Sequence, residues 1–264
     1  MTRFRTLSFF TALLFSLAFA WGCDSTGGSD GSEVVEGPSV SIEGGGSAYA
    51  WVRLGPDDRP EAIGVSLSEA GYESLTDTSD GHTSGLAKHG AAHLELEVPD
   101  EAPAPYEHAT LDWHPEGHPP PGVYTVPHFD AHFYFLSPQA RKAIEAGPAQ
   151  TFPDDRHVPS AYTPDSINTP NMGMHYLNLQ APEFNGEPFT HTFIYGFYQG
   201  EHTFIEPMVT TDVLSSNPDV NAEVPQPETY QKAGMYPDRY RIVHDAEAGV
   251  YRVVLEGLTR HEGS

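Results

Sequence analysis

Proline and glycine constrain the fold of this chain more than any other feature. Its 24 prolines and 25 glycines leave only short apolar segments separated by turns, a pattern that favours short strands over long helices. Ser47 to Leu54 alternates small or polar residues with larger ones and meets a turn at Gly55-Pro56-Asp57-Asp58. Glu61 to Leu67 then resumes as the second arm of a hairpin. Ser68 is a plausible N-cap for one or two helical turns up to Leu75. Thr76 to Gly90 reads as an exposed loop with solvated His82 and His89, and His93 to Val98 alternates as a strand with one wet face. Further strands are expected over Tyr106 to Trp113, Pro127 to Leu136, Met172 to Leu179, Phe189 to Tyr198, Glu201 to Thr210, Asp238 to His244 and Val250 to Gly257.

The longest helix is expected over Pro138 to Ala146, with Ser137 at the N-cap, Pro138 at the first helical position and Gly147 closing it. Pro148 to Pro170 and Asp212 to Glu228 are long proline-rich crossings, of the kind used as lids, binding loops or oligomer arms. The expectation is therefore all-β: a single antiparallel β-barrel-like or sandwich domain over residues 47–264, with one short helix and long proline-rich loops.

Residues 1–22 read as a lipoprotein signal peptide. Arg3 and Arg5 begin it, Leu7 to Trp21 is an uncharged apolar run, and Ala20-Trp21-Gly22-Cys23 ends it in the manner of a lipobox. The apolar run is too short to span a membrane as a helix, which takes roughly 20 residues. Cys23 is the single cysteine and sits where lipidation would fall. Residues 23–46 then form a flexible tether, rich in Gly, Ser, Asp and Glu. The expected location is exported, in the cell envelope, with the membrane as partner through the lipid anchor. One cysteine allows no intramolecular disulfide and no thiolate site in the mature domain, so any metal must be held by nitrogen and oxygen.

Acidic residues number 37 against 13 basic ones, a formal net charge of −24. Such a surface repels nucleic acid and anionic lipid, and both are excluded as partners. A small-molecule ligand and a homo-oligomer stay open.

Fourteen histidines are an excess, and four fall in Trp113 to Tyr134, WHPEGHPPPGVYTVPHFDAHFY, beside Asp130. Neutral imidazole and carboxylate together are the usual ligands of zinc, iron and copper. On a strand His128, Asp130 and His132 share one face, with Phe129, Ala131 and Phe133 on the core face. Neighbours two apart lie about 6.6 Å from one another and His128 and His132 about 13 Å, so Asp130 with His132 could share an ion while His128 joins only if the strand bends. Alternatively Asp130 orients a liganding histidine. His175 lies opposite Met172, Met174 and Tyr176. Glu206 is flanked by Phe204, Ile205, Pro207 and Met208, where a carboxylate must be paired or bound to a cation. His128, Asp130, His132, His175 and Glu206 are thus the expected metal ligands. His114 and His118, in the turn before the strand, together with Tyr134 and His202, on the face of Phe204 and Glu206, would form the surrounding pocket. A purely structural histidine–carboxylate network in a non-catalytic ligand-binding or self-associating envelope protein is the rival. No phosphate loop, nucleophile elbow or nucleophilic cysteine is present.

From Gly45 to Leu258 the chain resembles an uncharacterised family of exported bacterial β-rich proteins, a domain of unknown function known also from Thermus. The resemblance rests on RPEAIGVSLSEAGYESL, LDWHPEGHPPPGVYTVPHFDAHFY, NMGMHYLN, APEFNGEPFTHTFIYGFYQGEHTFIEPMVT and YRVVLEGL, with the GHPP and PHFDxHFY blocks the most specific. It implies an all-β exported domain and no particular reaction.

Overall fold

The computed structural model describes residues 32–77 and 91–264. The signal peptide, Cys23, the start of the tether, His82 and His89 lie outside the described residues. The chain enters as β1 (Glu33–Glu36) and β2 (Val40–Ser41), then forms the hairpin β3 (Ser47–Leu54) and β4 (Pro60–Ser68) and helix α1 (Glu69–Thr76). Next come β5 (Ala92–Leu96), β6 (His108–His114), β7 (His128–Tyr134) and α2 (Pro138–Lys142). Short strands β8 (Gly147–Pro148), β9 (Tyr162–Pro164) and β10 (Ile167–Asn168) precede β11 (Met174–Asn178). The hairpin β12 (His191–Tyr198) and β13 (Glu201–Thr210) runs into α3 (Thr211–Ser215). The last strands are β14 (Asp219–Glu223), β15 (Gly234–Tyr236), β16 (Arg239–Asp245), β17 (Val250–Glu256) and β18 (Thr259–His261).

Two seven-stranded antiparallel sheets organise these elements. The first runs β1-β3-β4-β17-β16-β14, with β2 also on β3; the second runs β5-β6-β7-β13-β12-β11-β9. Both have free edge strands, so among the described residues there is no closed barrel. β1 pairs with β3 from Glu33↔Leu54 to Glu36↔Trp51, and strand structure therefore reaches into the stretch that composition assigns to the tether. Among the described residues there are three short α-helices: α1 matches the turns expected after Ser68, α3 was not expected, and α2, expected as the longest, is shorter than α1. α2 stops at Lys142 instead of Ala146 because the Ile144 carbonyl accepts from the Asn171 N–H at 3.1 Å and the Ile144 N–H turns back to Arg141. The caps follow the expected chemistry: Ser68 Oγ accepts from the Gly71 N–H at 3.0 Å, and Ser137 Oγ from the Ala140 N–H at 3.2 Å. None of the described helices is long and apolar enough to cross a membrane.

One apolar cluster draws on both sheets. Ala48, Ala50, Val52, Ile63, Val65 and Leu67 of the first join Leu111, Trp113, Phe129, Ala131, Phe133 and Ile205 of the second. Each fully buried side chain of this size is worth about 1.5–3 kcal/mol of transfer free energy, which fixes which face of β7 points inward. Phe129, Ala131 and Phe133 take the core, as alternation requires, and His128, Asp130, His132 and Tyr134 take the other face.

That other face is not wet. Tyr124, Phe189, Ile194, Phe204, Met208 and Tyr134 form a second buried cluster over it, so the segments around Tyr124 and Phe189 roof the second sheet. Gly196 makes part of the room: a Cβ there would stand 2.0 Å from the Phe204 ring. Only glycine lets that ring lie across β12. The consequence for function is a layer of polar side chains trapped between a sheet and its roof.

Candidate metal centre

Register builds the site. β6 and β7 pair so that His114 faces His128, Asp112 faces Asp130, Thr110 faces His132 and His108 faces Tyr134. Two alternating polar columns therefore lie side by side on the roofed face. β13 flanks β7 on its other edge, with Met208 opposite Asp130, and His175 of β11 lies opposite Gly196 of β12. His114 is the last residue of β6, not part of the turn.

The first group centres on Asp130, which is 2% exposed. His114 Nε2 and His118 Nε2 each stand 3.1 Å from its Oδ2, and His128 Nε2 stands 3.2 Å from its Oδ1. Two of these rings are pinned from behind by the backbone. His118 Nδ1 donates to the Pro119 carbonyl at 2.7 Å and His128 Nδ1 to the Val126 carbonyl at 2.6 Å. A carbonyl only accepts, so each Nδ1 carries the proton; His118 hydrogen-bonds Asp130 through Nε2 only as the imidazolium, whereas the neutral His128 ring presents an Nε2 lone pair to the carboxylate. His128 Nε2 and Asp130 Oδ1 are accordingly two buried acceptors facing each other, neither with a hydrogen-bond partner among the described residues. Burial acts to raise the Asp130 carboxyl, but hydrogen bonds from His114 and His118 outweigh it and hold it well below the carboxylate range. Burial pushes the His128 imidazole down despite Asp130. Burial also acts to lower His118, yet its hydrogen bond to Asp130 prevails and raises it.

The second group centres on Glu206, also 2% exposed. His132 Nε2 stands 3.4 Å from Oε1 and His175 Nε2 4.0 Å from Oε2. Behind them, His132 Nδ1 meets Asp112 Oδ2 at 3.1 Å and His175 Nδ1 meets Asp165 Oδ2 at 3.5 Å. Asp112 is held in turn by the Thr110 hydroxyl, which donates at 2.8 Å, and by His93. His132 Nε2 and Glu206 Oε2 are buried without hydrogen-bond partners among the described residues. Burial and the charges of Asp130 and Asp112 raise the Glu206 carboxyl well above its usual range. Burial lowers the His132 imidazole against the pull of Asp112.

In each group, His114–His118–Asp130 and His132–His175–Glu206, the donor atoms lie within 4.8 Å of one another. Leaving a buried polar atom unsatisfied costs about 1–3 kcal/mol, and a dication between facing nitrogen and oxygen lone pairs removes that cost. Two imidazoles and a carboxylate suit zinc, iron or copper.

All five residues expected as ligands lie on one roofed face, but they do not make one set. Asp130 and His132 do not share a donor group, contrary to the spacing argument: Asp130 gathers His114 from β6, His118 from the turn and His128 from its own strand, while His132 faces Asp112 of β6 and Glu206 of β13. His128 reaches Asp130 as an i, i+2 neighbour, with no bend between it and His132. Tyr134 lies beside the site as expected of a pocket residue: its ring stacks on His132 at 5.5 Å and His108 at 4.7 Å, with the Arg141 guanidinium 5.3 Å above it. His202 is absent from the site. The β12–β13 register shifts between Gly196 and Phe197, so Phe197 pairs with His202 while Gly196 pairs with Phe204. That extra residue turns His202 into the shared core against Phe135, Tyr195 and Phe197. Asp112, Asp165, Thr110 and His93 are participants that the sequence reading missed. The alternation Asp112, His114 in LDWH mirrors HFD across a hairpin, and was the signal available for Asp112. Comparison with protein-family models, with curated proteins and with solved structures finds no match for this chain.

Proposed function

We propose that this is an exported, lipid-anchored cell-envelope protein that binds a divalent transition metal on the roofed face of a sandwich-like pair of open β-sheets. His114, His118 and Asp130 are the ligands, and His128 supplies a further imidazole on the other carboxylate oxygen. The supporting observation is the pinning of His128 through Nδ1 to the Val126 carbonyl, which leaves its buried Nε2, without a hydrogen-bond partner among the described residues, facing Asp130 Oδ1 at 3.2 Å. A plain polar network would place only donors against that carboxylate, and His128 offers it an acceptor. Bound there, zinc would lower the pKa of a coordinated water, whereas iron or copper would bring redox chemistry. The chain's own contribution is orientation: two rings held by carbonyls, a carboxylate kept ionised, and an aromatic roof of Tyr124 over His118 and Phe189 over His128 that limits water.

Elemental analysis of untagged protein tests this. At least one zinc, iron or copper per chain is expected, and one ion fewer in Asp130→Asn, which removes the anionic ligand with little change of shape. Trace metal that stays substoichiometric after reconstitution overturns the reading in favour of a structural network.

A further inference from the structure

We propose that His132, His175 and Glu206 form a second divalent-cation position beside the first, and that this one is open to a small exogenous anion. The inference rests on the metal reading of this face and extends it to a two-ion site.

The two positions share no donor. Asp130 and His132 are two residues apart on β7, about 6.6 Å along the strand, and Glu206 belongs to the neighbouring strand. The second group is built as metal-binding histidines are. Each imidazole has an aspartate behind it, Asp112 on His132 Nδ1 at 3.1 Å and Asp165 on His175 Nδ1 at 3.5 Å. A back-side carboxylate fixes the Nδ1–H tautomer and makes Nε2 a better donor. The two Nε2 atoms approach different oxygens of one carboxylate. His132, 1% exposed, and Glu206 each aim a buried atom without a hydrogen-bond partner into the gap.

The two positions differ in closure. The first has His128 at hand as a fourth protein donor. The second has three among the described residues, the count typical of sites that keep a coordination position free. His175 is its outermost member, its side chain 16% exposed, so that edge is the approach for a ligand. Two neutral imidazoles and one carboxylate leave a dication with one uncompensated positive charge, which a small monoanion neutralises.

Cobalt(II) titration of the metal-stripped full-length protein, followed by dialysis and elemental analysis, tests the proposal, with azide as the probe anion. Wild type should hold two ions, and both His175→Ala and His175→Gln one. Azide should change the visible cobalt spectrum of wild type and of Asp130→Asn but of neither His175 variant. Asp112→Asn should weaken one of the two ions about 10–100-fold and leave the other. Unchanged far-ultraviolet circular dichroism shows that the variants are folded, and the paired His175 substitutions provide a second reading if one is not. One ion in wild type, two in the His175 variants, or an azide response that survives there overturns the second position while leaving the first. No ion in wild type overturns both.

Discussion

His202 and His132 are both buried on strands of one sheet, and their surroundings give them opposite tasks. His132 stands between two carboxylates. His202 is packed among aromatic rings, and its Nε2 donates to the Phe204 carbonyl at 3.0 Å. Burial first, with only partial relief from that hydrogen bond, lowers the His202 imidazole to about 3. The unfolded chain protonates it near 6.5. Between these values the unfolded state binds the proton and the native state does not, so stability is complete above pH 6.5 and falls as pH drops toward 3. The slope from this one residue is about 1.4 kcal/mol per pH unit. His202→Leu should therefore show a shallower loss of melting temperature between pH 6.5 and 4 than wild type, whatever its stability at neutral pH. Equal slopes would show that His202 is solvated. Nothing in the local sequence distinguishes EHTF from a surface histidine, because the aromatic rings that enclose it come from other strands.

At the scale of the element, β7 was legible and β13 was not. β7 keeps strict alternation from His128 to Tyr134, and period two alone divides its faces. β13 carries two irregularities. The extra residue near Thr203 reverses His202, and the neighbours that accommodate it are remote in sequence: the Gln231 side chain accepts the His202 N–H at 2.6 Å, and the Thr203 carbonyl takes the Phe135 N–H at 2.8 Å. The other is Pro207, in a strand with neighbours on both sides, where proline is ordinarily excluded for lack of an N–H. Pairing with β7 holds at Phe204, Ile205, Met208, Val209 and Thr210 and lapses at Glu206 and Pro207, beside His132. The lapse falls on the residue whose carboxylate stands between His132 and His175. Pro207→Ala restores the donor, and the expected result is a several-fold weaker cation affinity at the Glu206 position with the melting temperature unchanged or raised. Isothermal titration alongside thermal unfolding checks it; unaltered affinity would mean the gap has no bearing on the site.

For the whole molecule, the proposed anchor and the net charge are both arguments from composition. Cys23 is the only thiol, and the lipobox argument makes it the sole attachment point. Cys23→Ser should move the protein from the membrane to the soluble fraction on cell fractionation, and a variant that stays with membranes would end the lipid-anchor proposal.

The sequence by itself determined the β-rich class, the short elements, the acidic net charge, the restriction of any metal site to nitrogen and oxygen ligands, and the inward and outward faces of His128 to Tyr134. These follow from local sterics and a period of two residues, which need no distant partner. Only the tertiary structure decided that the polar face lies under a roof, that Asp130 looks to His114 and His118 while His132 looks to Glu206, and that His202 belongs to the core. Those choices depend on register between strands far apart in the chain, and a one-residue shift in pairing reverses every side chain beyond it.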